Sequence, residues 1–335
     1  MLEPDPRGVP AQREPTLVSV VAPMHDEEGT VEAFYERVRT ALENVPFELV
    51  LVDDASRDRT PQLLDSLADS DPRAKVLHLS RNFGHQAAIT AGLEHASGDV
   101  VVMMDGDLQD PPEVIPRMLD RWREGAEVVF AVRQSRAGES WFKLATARWF
   151  YRFFARVTQL ELRENAGDFR LLGRHALDAM LSMRERNRFL RGMSVWVGFP
   201  QAAVPYERDP RHAGETKYTL PRMVRFFLDA MTSFSWLPLQ AATLLGFVFS
   251  IAAFLGLPLV IVARVIHIYV PGVSSILFVV LLLGGIQLIT VGLIGEYVGR
   301  IYDEVKGRPL YLVRSTRNLG RPAGAEEHRE GVMAP

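Results

Sequence analysis

From Leu17 onwards, short apolar runs alternate with stretches in which apolar residues return at helical spacing. The runs at 17–22, 47–53, 75–79, 100–105 and 128–132 predict strands, being brief, rich in Val and Leu, and closed by polar clusters. Between them, 30–42, 60–69, 86–96 and 112–124 predict helices. Strand and helix in strict alternation give a mostly parallel sheet with helices on both faces. In such sheets ligands sit beyond the carboxyl ends of the strands. The polar clusters at those ends are therefore where chemistry is expected.

The pattern changes after Asp229. The 34 residues before Arg264 contain no Asp, Glu, Lys or Arg, and a second uncharged run extends over 265–295, interrupted only by His267. About 20 such residues, rising about 1.5 Å each, cross a hydrocarbon core of about 30 Å. Two membrane spans are predicted, 239–264 and 273–296, joined by a turn around Tyr269, Pro271 and Gly272. Neither run is N-terminal, so neither reads as a signal peptide. Arg222 and Arg225 precede the pair and Arg300, Lys306, Arg308 and Arg314 follow it, whereas the connection offers only Arg264. This bias predicts an integral protein of a bacterial inner or plasma membrane with the soluble domain and both termini cytoplasmic. The segment 221–238 suits either a helix in the membrane interface or one packed on the soluble domain. The remaining boundaries are a disordered 1–15, a soluble domain over 16–220, a cytosolic segment 297–314 and a disordered tail 315–335.

Composition narrows the chemistry. A net charge of −3 provides no basic domain, so nucleic acid is not an expected partner. The absence of Cys removes disulfides, thiol nucleophiles and Cys-bound zinc, leaving oxygen or imidazole to hold any metal. No glycine-rich dinucleotide fingerprint or P-loop occurs to cradle phosphates. Glu27, after the first strand, and Asp53, closing the second, can accept hydrogen bonds from a ribose or base edge. Ser56 and Asp58 can instead cap the next helix. In Met104-Asp-Gly-Asp-Leu-Gln-Asp-Pro-Pro-Glu, Asp105 and Asp107 flank a glycine that permits close backbone approach, so both carboxylates can meet one Mg2+ or Mn2+ with Gln109 as a further oxygen donor. The alternative is a polar turn that starts a helix.

These clusters, together with Ser80-Arg-Asn-Phe-Gly-His-Gln-Ala-Ala, resemble the GT-A glycosyltransferases of family 2. Asn165-Ala-Gly-Asp-Phe-Arg-Leu, Arg188-Phe-Leu-Arg-Gly, Arg211-His-Ala-Gly-Glu-Thr-Lys-Tyr and Glu296-Tyr-Val-Gly-Arg resemble their polyprenyl-phosphate branch, related to dolichol-phosphate mannose synthase. The resemblance implies an α/β GT-A domain carrying an interfacial helix and two C-terminal transmembrane helices. It implies a metal-dependent, inverting transfer of one sugar from a UDP- or GDP-sugar to a polyprenyl phosphate. Pro23, His25, Glu27, Asp53, Gln86 and Asp105 are then expected at the nucleotide sugar. Asp105, Asp107 and Gln109 are expected at the metal, and Asp107 and Asp168 at the reaction, Asp168 as base or acceptor-orienting carboxylate.

An acceptor phosphate needs cations, and arginine grips phosphate oxygens bidentately. Arg133 and Arg136 follow the fifth strand, Lys143 and Thr146 a little later, and Arg211 and Lys217 lie before the membrane segment. The chain has four Lys among its 38 basic residues, so any single Arg is weak support and Lys217 stronger. The segment 208–218 suits a loop that closes over the nucleotide. His25-Asp26 stands where the family commonly has an aromatic residue and Asn, which leaves the choice of base open. No Gln-x-x-Arg-Trp motif of processive synthases occurs, which favours single transfer. Competing readings are the same donor chemistry with another lipid or glycan acceptor, and a non-catalytic membrane partner. Homo-oligomers occur in the resembled family; the sequence does not decide one.

Overall fold

In this computed structural model the described residues are 13–133, 166–208 and 272–319, with isolated positions between 239 and 262. The chain divides into two units, Met1–Lys217 with Pro309–Pro335, and Tyr218–Arg308.

The first unit runs β1 (Val18–Met24), α1 (Val31–Ala41), β2 (Phe47–Asp53), α2 (Thr60–Ser70), β3 (Ala74–Leu79), α3 (His85–His95) and β4 (Val100–Met103). It continues through a 3-10 turn into α4 (Ile115–Arg123), then β5 (Val128–Arg133), β6 (Ala166–Gly173), α5 (Arg174–Ser182), α6 (Leu190–Trp196), β7 (Gln201–Tyr206) and finally β8 (Val313–Arg317). The eight strands form one sheet in the order β7-β5-β6-β4-β1-β2-β3-β8. β1 to β4 are mutually parallel, as are β5 and β7, while β6 runs antiparallel to β4 and β5 and β8 antiparallel to β3.

Both sheet faces are covered, which is why the central strands read as continuous apolar runs: all seven residues of β2 are buried. Phe34 and Val38 of α1, Leu64 of α2 and Met118, Leu119 and Trp122 of α4 pack with Val20, Ala22, Leu49 and Leu51. On the opposite face, α3 presents Ala87, Ala88, Ala91 and Gly92 to the sheet. At Gly92 a Cβ would lie 2.3 Å from Val21 Cγ1 and 3.1 Å from Val52 Cγ2, so the missing side chain is what lets this helix lie so close.

The register places the site. Met103 pairs with Arg170 and Val132 with Ala166, so β6 begins at the edge where β1 to β4 end. The five strands and four helices expected before residue 133 are present, with β4 ending at Met103 rather than 105. The composition-based tail boundary at 315 is corrected. Residues 315–317 belong to β8, whose side chains are all exposed and polar enough to read as disorder, yet whose backbone completes the β3 edge. Asn318 anchors it with side-chain bonds to the carbonyls of Ala68 at 2.6 Å and Ala74 at 2.9 Å. Of 1–15, residues 13–15 are described, and Arg13 and Glu14 pair with Glu127 and Arg123.

In the second unit, α7 (Val273–Val305) is 33 residues long, about 50 Å. Its Leu282–Val305 stretch is long and apolar enough to cross a membrane. The helix passes residue 296 without interruption and ends before Gly307, at φ 57°. Leu288, Ile289 and Val305 are each at least 74% exposed. The predicted span 239–264 and the segment 221–238 lie mostly or wholly outside the described residues; the positions described between 239 and 262 are helical.

Candidate active site

Two loops at the carboxyl ends of β1 and β2 are stitched together by acidic side chains and hydroxyls that accept from backbone amides. The Asp26 amide donates to Ser56 Oγ (3.1 Å) and the Arg57 amide to Asp26 Oδ1 (2.7 Å). The Glu28 amide donates to Asp58 Oδ2 and the Arg59 amide to Glu28, both at 3.1 Å. Asp26 and Ala55 take left-handed backbone, φ 57° and 55°, to make these turns. Glu27 donates its amide to Thr60 Oγ1 at 2.9 Å. His25 keeps an exposed ring with Nδ1 3.0 Å from the Asp54 carbonyl oxygen, beside Asn82, and Pro23 is half-buried. Asp53 is fully buried: one oxygen lies 2.9 Å from His78 Nδ1 and the other accepts the Ser56 amide at 2.8 Å. In this structure Asp53 therefore holds the loop. Asp54 does the same for the next one, accepting the amides of Phe83 (2.7 Å) and Gly84 (2.9 Å).

Gly84, at φ 96°, turns the chain into α3, whose first residue is His85. His85 Nε2 lies 3.4 Å from Asp105 Oδ1 and 3.4 Å from Asp168 Oδ2. Gly106 makes the approach of the acidic loop feasible, since a Cβ there would meet Met24 Sδ at 2.4 Å and the Pro23 carbonyl at 3.1 Å. Asp107 accepts the Gln109 amide at 3.1 Å, and Leu108 is left-handed at φ 59°. Gln86, expected at the nucleotide, accepts the Leu190 amide at 3.2 Å and so ties α3 to α6.

Asp168 is clamped by Arg191, Nε to Oδ1 at 2.7 Å and Nη2 to Oδ2 at 2.9 Å. Burial opposes its ionisation, but the hydrogen bonds from His85 and Arg191 prevail and hold its carboxyl well below the usual range. Asp105 goes the other way: burial, reinforced by Asp168, Asp110 and Asp107 and opposed by His85, pushes it up to about 6. Asp105 Oδ1 and Gln109 Oε1 are buried without a hydrogen-bond partner. Beneath Asp168, the fully buried Arg170 donates to the Gly167 carbonyl at 2.7 Å and to Ser194 Oγ, and stacks on Phe130 at 5.3 Å.

The ligand atoms of His85, Asp105 and Asp168 lie within 4.8 Å of one another. Two carboxylates, an imidazole and an unpartnered buried oxygen suit a hard divalent cation. His85 was not singled out from sequence, although it stands inside a quoted motif; the signal available was a His placed after Gly at a helix start beyond a strand. Arg191, Asp110 and Tyr206 were likewise missed as individuals.

Arg133 is at the site. Its Nε donates to Tyr206 Oη at 3.0 Å, its Nη2 is 3.7 Å from Asp110 Oδ1, and a Cβ on Gly167 would be 3.0 Å from its Nη2. Tyr206 in turn donates to Asp110. Arg136, Lys143, Thr146, Arg211 and Lys217 lie outside the described residues.

A mostly parallel α/β sheet with acidic loops gathered where β1, β2 and β4 end, and a reversed strand returning beside them, is the GT-A class of transferase fold. The chain belongs to glycosyl transferase family 2, whose profile matches residues 19–181. It is 44% identical over 304 residues to an uncharacterized glycosyltransferase, YkcC, of Bacillus subtilis, covering 90% of this chain and 94% of that one. It is 41% identical over 308 residues to the bactoprenol glucosyl transferase of Shigella phage SfII, covering 91% and 99%. Among solved structures it is similar to glucosyl-3-phosphoglycerate synthase from Mycobacterium tuberculosis in complex with Mn2+ and UDP, at 20% identity and a TM-score of 0.47, covering 66% and 80%.

Proposed function

We propose that this glycosyltransferase moves one sugar from a nucleoside diphosphate sugar to the phosphate of a membrane polyprenol, with inversion at the anomeric carbon. The observation that carries the reading is the 41% identity to a bactoprenol glucosyl transferase over 99% of that protein's length. The apolar stretch Leu282–Val305 agrees with a lipid acceptor. The names of such relatives make glucose the first sugar to test.

In the reaction an oxygen of the acceptor phosphate forms a bond to the anomeric carbon as the bond to the diphosphate breaks, and the nucleoside diphosphate leaves. An ionised phosphate needs little help as a nucleophile. Asp168, paired bidentately with Arg191 and held ionised, is a poor proton acceptor. Its role in this reading is to orient His85 and the acceptor. Arg133, aligned by Tyr206 and Asp110 over Gly167, offers its guanidinium to the acceptor phosphate, joined by Arg136, Lys143, Thr146, Arg211 and Lys217. Pro23, His25 and Glu27 line the nucleotide side. The buried Asp105 and Gln109 oxygens, which accept no hydrogen bond, fit a divalent cation, which Asp105, Asp107 and Gln109 would hold, with His85 as an added imidazole ligand. When bound there, Mg2+ or Mn2+ would supply positive charge to offset that of the departing diphosphate. A hairpin of two spans, preceded by an interfacial helix, would keep the domain and both termini on the cytoplasmic side.

The test uses full-length protein in detergent with a short polyprenyl phosphate, Mg2+ or Mn2+, and a panel of UDP- and GDP-sugars, scoring nucleotide release with and without lipid. Lipid-dependent release from one donor, lost in Asp107→Ala, is expected. Release indifferent to the lipid phosphate would sink the acceptor assignment.

A further inference from the structure

One buried titratable group takes no part in the mechanism above. His78 on β3 is 3% exposed, and each ring nitrogen faces a carboxylate: Nδ1 lies 2.9 Å from Asp53 Oδ2 and Nε2 3.2 Å from Asp65 Oδ1. Ionised carboxylates only accept, so both nitrogens donate and the ring is an imidazolium. The parallel register sets His78 directly beside Asp53 on β2. α2 contributes Asp65, and β8 contributes Arg317, whose Nε donates to Asp65 at 3.0 Å. Asp69 acts on Arg317, and the β8 residue opposite His78 is the uncharged Ser315.

Asp53 passes this constraint on. Its other oxygen accepts the Ser56 amide at 2.8 Å, Ser56 Oγ accepts the Asp26 amide at 3.1 Å, and Asp26 accepts the Arg57 amide at 2.7 Å. A fully buried carboxylate thus secures both loops at the mouth of the site, each bent through a left-handed residue. Without a cation beside it, Asp53 would be a buried charge held only by the amide and hydroxyl of Ser56, and the turns it fixes would relax.

We propose that His78 is a positioning residue for the donor nucleotide: as an imidazolium it fixes Asp53, and through Asp53 the 25–27 and 54–58 loops that face the nucleotide. The inference rests on the donor reading given above. It separates two effects that a merely structural histidine would not. Loop geometry governs donor affinity, so donor binding and KM respond while kcat does not. Asp53 and then Asp65 raise the ring's proton affinity against the opposing effect of burial. The contribution is complete below the ordinary histidine pKa and is lost as pH rises through the raised one, so donor affinity falls on the alkaline side.

The experiment measures UDP and GDP binding with Mn2+ to full-length protein in detergent from pH 6.5 to 9, alongside steady-state constants and thermal unfolding. His78→Gln is expected to weaken nucleotide binding about five- to tenfold, the worth of one buried hydrogen bond, with kcat within about twofold. Asp65→Asn, which leaves Asp53 and its loop intact, is expected to bind as wild type at pH 6.5 and to lose affinity at lower pH than wild type does. If His78→Gln does not fold, the shifted profile of Asp65→Asn decides. Unchanged nucleotide affinity in His78→Gln, a loss of kcat parallel to the loss of stability, or an Asp65→Asn profile identical to wild type overturns the proposal. Wild-type protein that binds neither nucleotide overturns the donor reading itself.

Discussion

Gly92→Ala probes whether the closeness of α3 to the sheet is what sets the position of His85. The new Cβ would sit 2.3 Å from Val21 Cγ1, and neither Val21 nor Val52 has exposed surface into which to turn. An ordinary carbon contact is about 3.5 to 4.0 Å, so the helix must withdraw by roughly 1.2 Å or more. Overpacking of this kind costs about 1 to 3 kcal/mol. Because His85 is the first residue of the helix, the same shift enters the reaction geometry, where a displacement of about 1 Å costs about 100-fold in rate. Val21→Ala alone should cost about 2 kcal/mol by leaving a cavity. In the double variant the methyl group introduced at position 92 occupies that cavity, so the two costs should not add, and the coupling should amount to about 2 kcal/mol. Thermal unfolding in detergent and lipid-dependent nucleotide release, measured on all four proteins, complete the cycle. Strict additivity, or a Gly92→Ala protein with wild-type stability and activity, would refute the argument.

Asp168→Asn keeps the shape but weakens the Arg191 clamp and the charge beside His85; it is expected to lower kcat by about 100-fold or more with nucleotide affinity little changed. Gly98→Ala would place a Cβ 2.5 Å from the Leu17 carbonyl and 2.8 Å from the Ser19 amide, backbone on both sides, so failure to accumulate folded protein is expected in a fluorescence-detected gel-filtration assay. Arg73, with help from Tyr35, depresses the Asp71 carboxyl to about 2. That stabilisation is present above the unfolded value near 3.8 and is lost as pH falls through about 2; discounted for partial exposure it is worth about 1 kcal/mol, and Asp71→Asn should flatten this part of the acid-unfolding profile. Asn318→Ala removes the bonds that anchor β8 and should lower the melting temperature by several degrees, about 1 to 2 kcal/mol, without changing kcat.

The alternating half of the domain was legible because its physics is local. β2 is buried throughout with an apolar centre over Leu49–Val52, and α1 carries one buried stripe through Phe34 and Val38. The other strands escaped notice for identifiable reasons. β6 carries Asp168 and the buried Arg170 in its middle, so its hydrophobic signal is broken by site chemistry. β7 contains Pro205, tolerable because the strand is an edge, and β8 is polar after Val313. At the site, the acidic loop was readable from its spacing, and the meeting of Asp105 with Asp168 is a product of register between β4 and β6. His85 and Arg191 arrive from α3 and α6, far apart in sequence, and only the fold brings both to Asp168.

The pairing of β8 with β3 carries a topological consequence. β3 and β8 lie on either side of α7 in the chain, yet they share one sheet. The chain that separates them includes α7, so this edge of the sheet can close only after that helix has been made. Synthesis from the N-terminus then leaves the edge of β3 unpaired until α7 and β8 have both been made. Until then the open edge of β3 is the place where a nascent chain of this protein could pair wrongly with another strand.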